Sequence, residues 1–261
     1  MESITRLLEI MKTLRDPIHG CPWDKEQDFS SIAPYTIAEA YEVADAVERN
    51  DMEDLCSELG DLLFQVVYHA QLADEKRYFS FEDIVTGVSD KLQQRHPHVF
   101  GDQKIKNAKA QSRVWEGLKA QERKKKSKEK FISIIEGVNL NMPSLSRAQK
   151  LQSRAATVGF DWNDIQSVFA KIQEEIEEFR GELSDHPDKS RVREELGDLL
   201  FTCVNLARHV DIDAEAALRS ANHKFETRFR YIEDTLAGQN KGLEGTSLEE
   251  MEKLWEAAKT R

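Results

Sequence analysis

Apolar residues return every three or four positions along almost the whole chain. Nowhere do they alternate with polar ones over the length of a strand, so the pattern predicts helices throughout. Leu7, Leu8, Met11 and Leu14 make a first short stripe. Pro17, Gly20 and Pro22 then break the chain into a loop ending at Cys21-Pro22-Trp23-Asp24. A helix is expected from about Pro34, because proline suits a first turn. The next carries Leu62, Leu63, Val66, Val67 and Ala70 on one face. Phe81–Arg95 reads as another, stopped by Pro97, and residues 114–123 as the last of this half. Residues 121–130, QERKKKSKEK, are charged without an apolar period and read as a linker or a solvated helix end. The stretch from there to Pro143 has no clear pattern. Further helices are expected near 144–157, 164–182, 190–209, 213–237 and 247–259, with a break at Gly159-Phe160-Asp161-Trp162.

The pattern is written twice. SELGDLLFQVVYHAQLA at 57–73 returns as EELGDLLFTCVNLARHV at 194–210, about 137 residues later. Each copy follows a Glu-x-x-Glu pair, Glu39 and Glu42 in the first and Glu175 and Glu178 in the second. Lys91 and Arg95 match Lys224 and Arg228, and Trp115-Glu116-x-x-Lys119 matches Trp255-Glu256-x-x-Lys259. Each half is therefore expected to hold an acidic helix pair, a basic helix and a closing helix. The boundaries read as 1–120, a charged linker at 121–142, and 143–261. Gly60 and Gly197 stand mid-helix at the same place in both copies, where glycine costs ~1 kcal/mol against alanine. That repetition suggests a close helix approach.

The repeat also doubles a set of acids. Glu58 with Asp61, and Glu195 with Asp198, are three residues apart and share a helix face. Acid-rich faces are usually just solvated. Here Leu196, Leu199, Leu200 and Val204 put the apolar stripe beside Glu195 and Asp198, so these acids fall at a core edge. Carboxylates from two helices facing one space would repel, and a hard divalent cation resolves the conflict. Oxygen-only ligands favour Mg²⁺ or Mn²⁺ over zinc or copper. Asn222, Lys224 and Arg228 share one helix, with the two cations i, i+4. Metal plus fixed cations suits a polyphosphate. Alone, these basic residues read first as surface partners of Glu226 or Glu194. Trp255 offers a flat face for a base or a packing anchor. His96-Pro97-His98 reads as a helix stop, because the pair cannot converge on one ion.

A formal net charge of −11 argues against a general nucleic-acid binder. Cys21, Cys56 and Cys203 lack metal-ligand spacing and read as small buried hydrophobes of a reducing cytoplasm. The acid-bearing N-terminus is no secretory signal, and no stretch approaches the ~20 apolar residues of a membrane span. There is no phosphate loop of the Gly-x-x-x-x-Gly-Lys type, no Glu-x-x-His pair of a di-iron bundle, and no Gly-x-Ser-x-Gly turn.

GCPWDKEQ, ELGDLLFQVV, RHPHVF, VGFDW, ELGDLLF, VNLAR and KFETRFR, with Glu174-Glu175-x-x-Glu178 followed by Glu195-x-x-Asp198, resemble the MazG family of nucleoside triphosphate pyrophosphohydrolases in its two-domain bacterial form. The resemblance runs over essentially the whole chain. It implies an all-α fold of two tandem units, their bundles completed by dimerisation, and Mg²⁺-dependent cleavage of ribo- and deoxyribonucleoside triphosphates, ATP included, to monophosphate and pyrophosphate. By position it makes Glu175, Glu178, Glu195 and Asp198 metal ligands, and gives Glu174 a second metal or the water. Lys171, Arg191, Lys224, Arg228 and Trp255 fall at nucleotide contacts, with Asn222 beside them. The first unit departs from the pattern. Ala38 replaces the first acid and Ser89 stands where Asn222 does, although Glu39, Glu42, Glu58 and Asp61 remain. Rival readings are a helical scaffold with vestigial acids and a nucleotide sensor without turnover.

Overall fold

The structure, a computed structural model, describes residues 2–101, 117, 133–183 and 187–260. It divides into two compact units, Met1–Lys128 and Glu129–Arg261. Among the described residues every regular element is helical. The first unit holds α1 (Glu2–Leu14), α2 (Pro22–Glu26), α3 (Phe29–Glu48), α4 (Met52–Glu75), α5 (Phe81–Arg95) and α6 (Pro97–Phe100). The second holds α7 (Ser144–Ala156), α8 (Ile165–Glu182), α9 (Lys189–His209), α10 (Ala214–Gly238) and α11 (Leu248–Ala258). In each, one long helix pair is the spine: α3 along α4, and α8 along α9. In the first unit α1 and α5 pack on α4. In the second, α7 packs on α9, and α10 on α7 and α11.

Local chemistry sets the helix ends. α3 starts at Phe29, five residues before the expected Pro34. Asp28 caps it, accepting from the amides of Ser30 and Ser31 at 2.8 and 2.9 Å, and its own amide donates to Ser31 Oγ at 2.9 Å. Such a reciprocal cap outweighs the preference of proline for a first turn. Pro34 then removes only an amide that would have met the carbonyl of exposed Ser30. α3 turns into α4 over three residues, and Arg49 pins the turn by bonding Asp45 at 2.7 Å, Asp51 at 3.2 Å and Asp54. Asn50 takes φ 55° there, a left-handed geometry that asparagine tolerates. α5 stops before Pro97, as expected, with His96 Nδ1 against the Leu92 carbonyl oxygen at 2.7 Å.

The first core gathers Met11, Ile32, Val67, Tyr68 and Leu72, with Leu7, Leu8 and Leu14 of the N-terminal stripe around it. Val168, Val204, Ile232 and Leu236 are buried in the second unit. Each such side chain contributes about 1.5–3 kcal/mol. Of the expected linker, 121–132 lies outside the described residues, as do Trp115, Glu116 and Lys119. Val138 is buried, and the Glu136 carbonyl accepts from Arg154 of α7, so this stretch packs on the second unit.

Three expectations need correction. Apart from the backbone of its own helix and its chain neighbours, no described atom lies within 4 Å of where a Cβ would stand on Gly60 or Gly197, so neither marks a close approach within its unit. Both sit on outer helix faces beside exposed leucines, Leu59 and Leu63 in one unit and Leu196 and Leu200 in the other. The stripe beside Glu195 and Asp198 is therefore only partly core: Val204 is buried and Leu199 half-buried, while Leu196 and Leu200 face outward. Cys56 and Cys203 are also exposed, and Cys21 is half-buried. A helix pair has two broad faces, and each unit covers one of them.

Candidate active site

Asp164 starts α8 by accepting from the Ser167 amide at 2.9 Å. Val168, fully buried, anchors the inner face of that helix, and Glu175 follows seven residues later on the same stripe. A carboxylate thus enters a position 4 % exposed. On α9, Asp198, Thr202 and Asn205 follow one another along one face, Thr202 Oγ donating to the Asp198 carbonyl at 2.9 Å. The packing of α8 on α9 brings carboxylate oxygens of Glu175, Glu195 and Asp198 within 4.8 Å of one another. Glu178, exposed and one turn beyond Glu175, stands outside this triad but close enough to repel Glu195.

A buried carboxylate needs a countercharge. Lys171, one turn before Glu175, reaches Glu175 at 2.9 Å and Glu174 at 2.8 Å. Those bonds, the one to Glu174 first, hold the Lys171 ammonium above its ordinary range. They do not satisfy the cluster. Glu175 Oε2 is buried with no hydrogen-bond partner. Burial pushes the Glu195 carboxyl above the usual carboxylate range, and Glu178, Asp198 and Glu175 push it further. Converging carboxylates with an unpartnered oxygen are a fitting donor set for a hard divalent cation.

The basic residues sit on other elements. Arg191, in the first turn of α9, pairs with Glu182 at the end of α8 at 2.7 Å. On α10, Asn222 and Lys224 are exposed, and Glu226 pairs with Arg230 at 3.0 Å rather than with Lys224. No ion pair engages Lys224 among the described residues. Arg228 lies 5.4 Å over the ring of Trp255 on α11, and Phe225 approaches the same ring at 5.4 Å. Trp255 is thus held in an aromatic cluster against the basic helix.

The first unit repeats half of this arrangement. Glu39, Glu42 and Glu58 bring oxygens within 4.8 Å, and Glu58 Oε2 is buried without a hydrogen-bond partner. Burial raises the Glu39 and Glu58 carboxyls, with Glu42 and Asp61 adding to both. The ammonium is missing. Tyr35 aligns with Lys171, and its ring stands edge-on to Trp23 at 6.1 Å.

Polar residues that the helical pattern did not single out gather beside the later turns of α9, drawn from α7, the loop before α8 and α9 itself. Gln152 and Asn205 are 6 % and 4 % exposed. Arg208 binds Asp161 at 2.9 Å through one nitrogen and again through the other. The one available signal was Asn205 itself, an amide seven residues after Asp198 on a half-apolar face.

A family model described as the MazG nucleotide pyrophosphohydrolase domain matches residues 27–100 and again 163–232. A nucleoside triphosphate pyrophosphohydrolase of Escherichia coli K12 is 49 % identical over 260 residues, 99 % of this chain and 98 % of that protein. A nucleoside triphosphate pyrophosphohydrolase/pyrophosphatase MazG of Thermotoga maritima is 42 % identical over 253 residues, 97 % and 94 % of the two. The uncharacterised YabN of Bacillus subtilis is 42 % identical over 250 residues, 96 % of this chain but 50 % of its own length. The two matches fall on the two acidic helix pairs, and the chain belongs to the MazG nucleotide pyrophosphohydrolase family.

Proposed function

We propose that the second unit hydrolyses nucleoside triphosphates, ribo- and deoxyribo-, ATP among them, to nucleoside monophosphate and pyrophosphate, in cytoplasmic clearance of nucleotide pools. One observation carries this reading: Glu175 is buried, its Oε2 lacks a partner, and Glu195 and Asp198 converge on it. Glu175, Glu178, Glu195 and Asp198 would hold Mg²⁺, or Mn²⁺ in its place. Bound there, the ion supplies Lewis acidity at a phosphoryl oxygen and acidifies a water. The chain's own side chains do the rest. Glu174, held by Lys171, lies beside the acids and orients the water. Lys171, Arg191 and Lys224 neutralise phosphate oxygens, and such charge-assisted bonds are worth about 1.5–3 kcal/mol each. Trp255 fixes Arg228, so its guanidinium meets charge developing on the departing pyrophosphate, while Asn222 adds a neutral contact.

We further propose a homodimer. Leu196, Leu200 and the open face of Gly197 leave the acids shallow, and helices of a second copy would cover that face. The test of the activity is pyrophosphate release from ATP and dGTP, with and without Mg²⁺. Monophosphate and pyrophosphate in equal amounts, only with metal, are expected. Release of orthophosphate, or no turnover, overturns the reading.

A further inference from the structure

Lys171 is claimed from two sides. Its ammonium bonds Glu175 at 2.9 Å and Glu174 at 2.8 Å. The two acids differ in depth: Glu175 is buried and Glu174 exposed, with Lys171 part-buried between them. The Glu175 carboxylate also belongs to the triad with Glu195 and Asp198, and its Oε2 is buried without a partner. Glu175 therefore has Oε1 on the ammonium and Oε2 left for a cation among the acids. Two cations on one buried carboxylate repel across a medium that screens them weakly. Phosphate meets the same conflict. Lys171, Glu174 and Glu175 together carry a net negative charge, which repels it. With a dication on Glu175 the same set turns positive, and the ammonium attracts a phosphate oxygen.

The spacing on α8 supplies a pivot. Lys171 lies i, i+4 from Glu175 and i, i+3 from Glu174, so its ammonium can leave the deeper acid without leaving the shallower one. Lysine suits the task, being a compact charge on a flexible four-carbon stem. The repeat supplies an internal comparison. Tyr35 stands at the Lys171 position, its ring edge-on to Trp23 at 6.1 Å, and Ala38 stands at the Glu174 position. Glu39, aligned with Glu175, remains and still gathers with Glu42 and Glu58. The ammonium and its outer tether are thus present together in the second unit and gone together from the first, although both units keep the inner acid.

We infer that Lys171 is an exchangeable counter-ion, which yields Glu175 to a dication held by Glu175, Glu195 and Asp198 and turns about its bond to Glu174 toward the phosphates. Metal binding and triphosphate binding are thereby coupled through one side chain. The inference rests on the pyrophosphohydrolase reading above. Titration calorimetry with Mn²⁺ and no nucleotide tests it, on the full chain carrying Glu58→Gln to remove the acid cluster of the first unit. Lys171→Met keeps the reach of the side chain and loses the ammonium. Its Kd for Mn²⁺ should fall about tenfold or more, since no charge-assisted bond has to be broken. Arg191→Gln removes an equal charge one turn before Glu195, from a residue that pairs with Glu182 and not with the triad, and should change Kd far less. KM for Mg·ATP should move the other way in Lys171→Met and rise, because the phosphates lose their cation. A structural fault would instead weaken metal and nucleotide together. Should methionine prevent folding, Lys171→Gln takes its place with the same expectations. An unchanged or weaker Mn²⁺ affinity overturns the exchange, and so does an equal gain in Arg191→Gln, which would make it an effect of general charge. A KM that holds or falls overturns the turn toward the phosphates. Should the wild type turn over no triphosphate, the pyrophosphohydrolase reading fails, and the Mn²⁺ titration still decides whether Lys171 competes with the dication.

Discussion

Glu178 and Glu42 occupy matching places, each one turn beyond the first acid of its cluster. Only Glu178 stands beside a cluster with a neighbouring ammonium, in the unit with the complete Glu-Glu-x-x-Glu set. Glu178→Ala should abolish triphosphate hydrolysis and Glu42→Ala should leave most of it; equal losses in a pyrophosphate-release assay would contradict the assignment to the second unit. Lys224 and Asp198 separate phosphate from metal. Lys224→Ala should lower kcat/KM by about tenfold, the loss of one charge-assisted contact, without moving the Mg²⁺ activation curve. Asp198→Asn should shift that curve to higher Mg²⁺ or remove activity, and one Mg²⁺ titration of both variants decides it. Glu75 sets an acid limit on the first unit. Bonds from Arg15 at 2.7 Å hold its carboxyl below the usual range. The folded state then binds fewer protons than the unfolded one, so this stability is present above the ordinary carboxylate pKa and is lost as pH falls through the lowered value. In melts from about pH 6 to pH 3, Glu75→Gln should lose less stability on acidification than the wild type. An equal loss in both would remove Glu75 as the cause. The acids were legible in the sequence because spacing alone puts Glu175 in line with Val168 and Asp198 beside Glu195. The bridge from Lys171, and the meeting of Gln152 with Asn205, were not, because they depend on rotamers and on the packing of separate helices.

Helix identities were legible nearly end to end, because a strong 3.6-residue period leaves little choice of element. α8, α9 and α10 lie within a residue of the expected bounds. The exceptions were α3, where a cap at Asp28 competes with a proline signal and the cap wins, and the short α2 and α6, which start at Pro22 and Pro97 where breaks were expected. Period cannot say which apolar face a unit covers by itself, and this is why Gly60 and Gly197 were misread. Gly197→Ala separates the two environments such a residue can have. With nothing within 4 Å, the added methyl should stabilise an isolated α9 by up to ~1 kcal/mol. Against a second copy it should instead weaken self-association. The expected result by sedimentation velocity is a wild-type dimer and a Gly197→Ala protein that dissociates at higher concentration. A wild-type monomer with full activity would remove the dimer.

At the scale of the whole chain, one ancestral plan has been used in two ways. The two-unit organisation could be read from the repeated SELGDLLF and EELGDLLF segments, since a duplicated sequence folds twice. The unequal interiors could not, because they turn on whether Tyr68 or Asn205 fills one position between three helices. That difference has a thermal consequence. The first unit closes its interior with an aromatic ring, its hydroxyl tied to Asp24 and the adjoining Arg15 clamped to Glu75. The second keeps a cavity of about 570 Å³, which weakens a fold. Heating should therefore melt the halves in sequence. Calorimetry should show two transitions, with activity vanishing at the lower one, and a single transition carrying both would show that the halves stand or fall together. That order of melting would put the softer interior in the unit proposed to work and the firmer one in the unit that departs from the acid pattern.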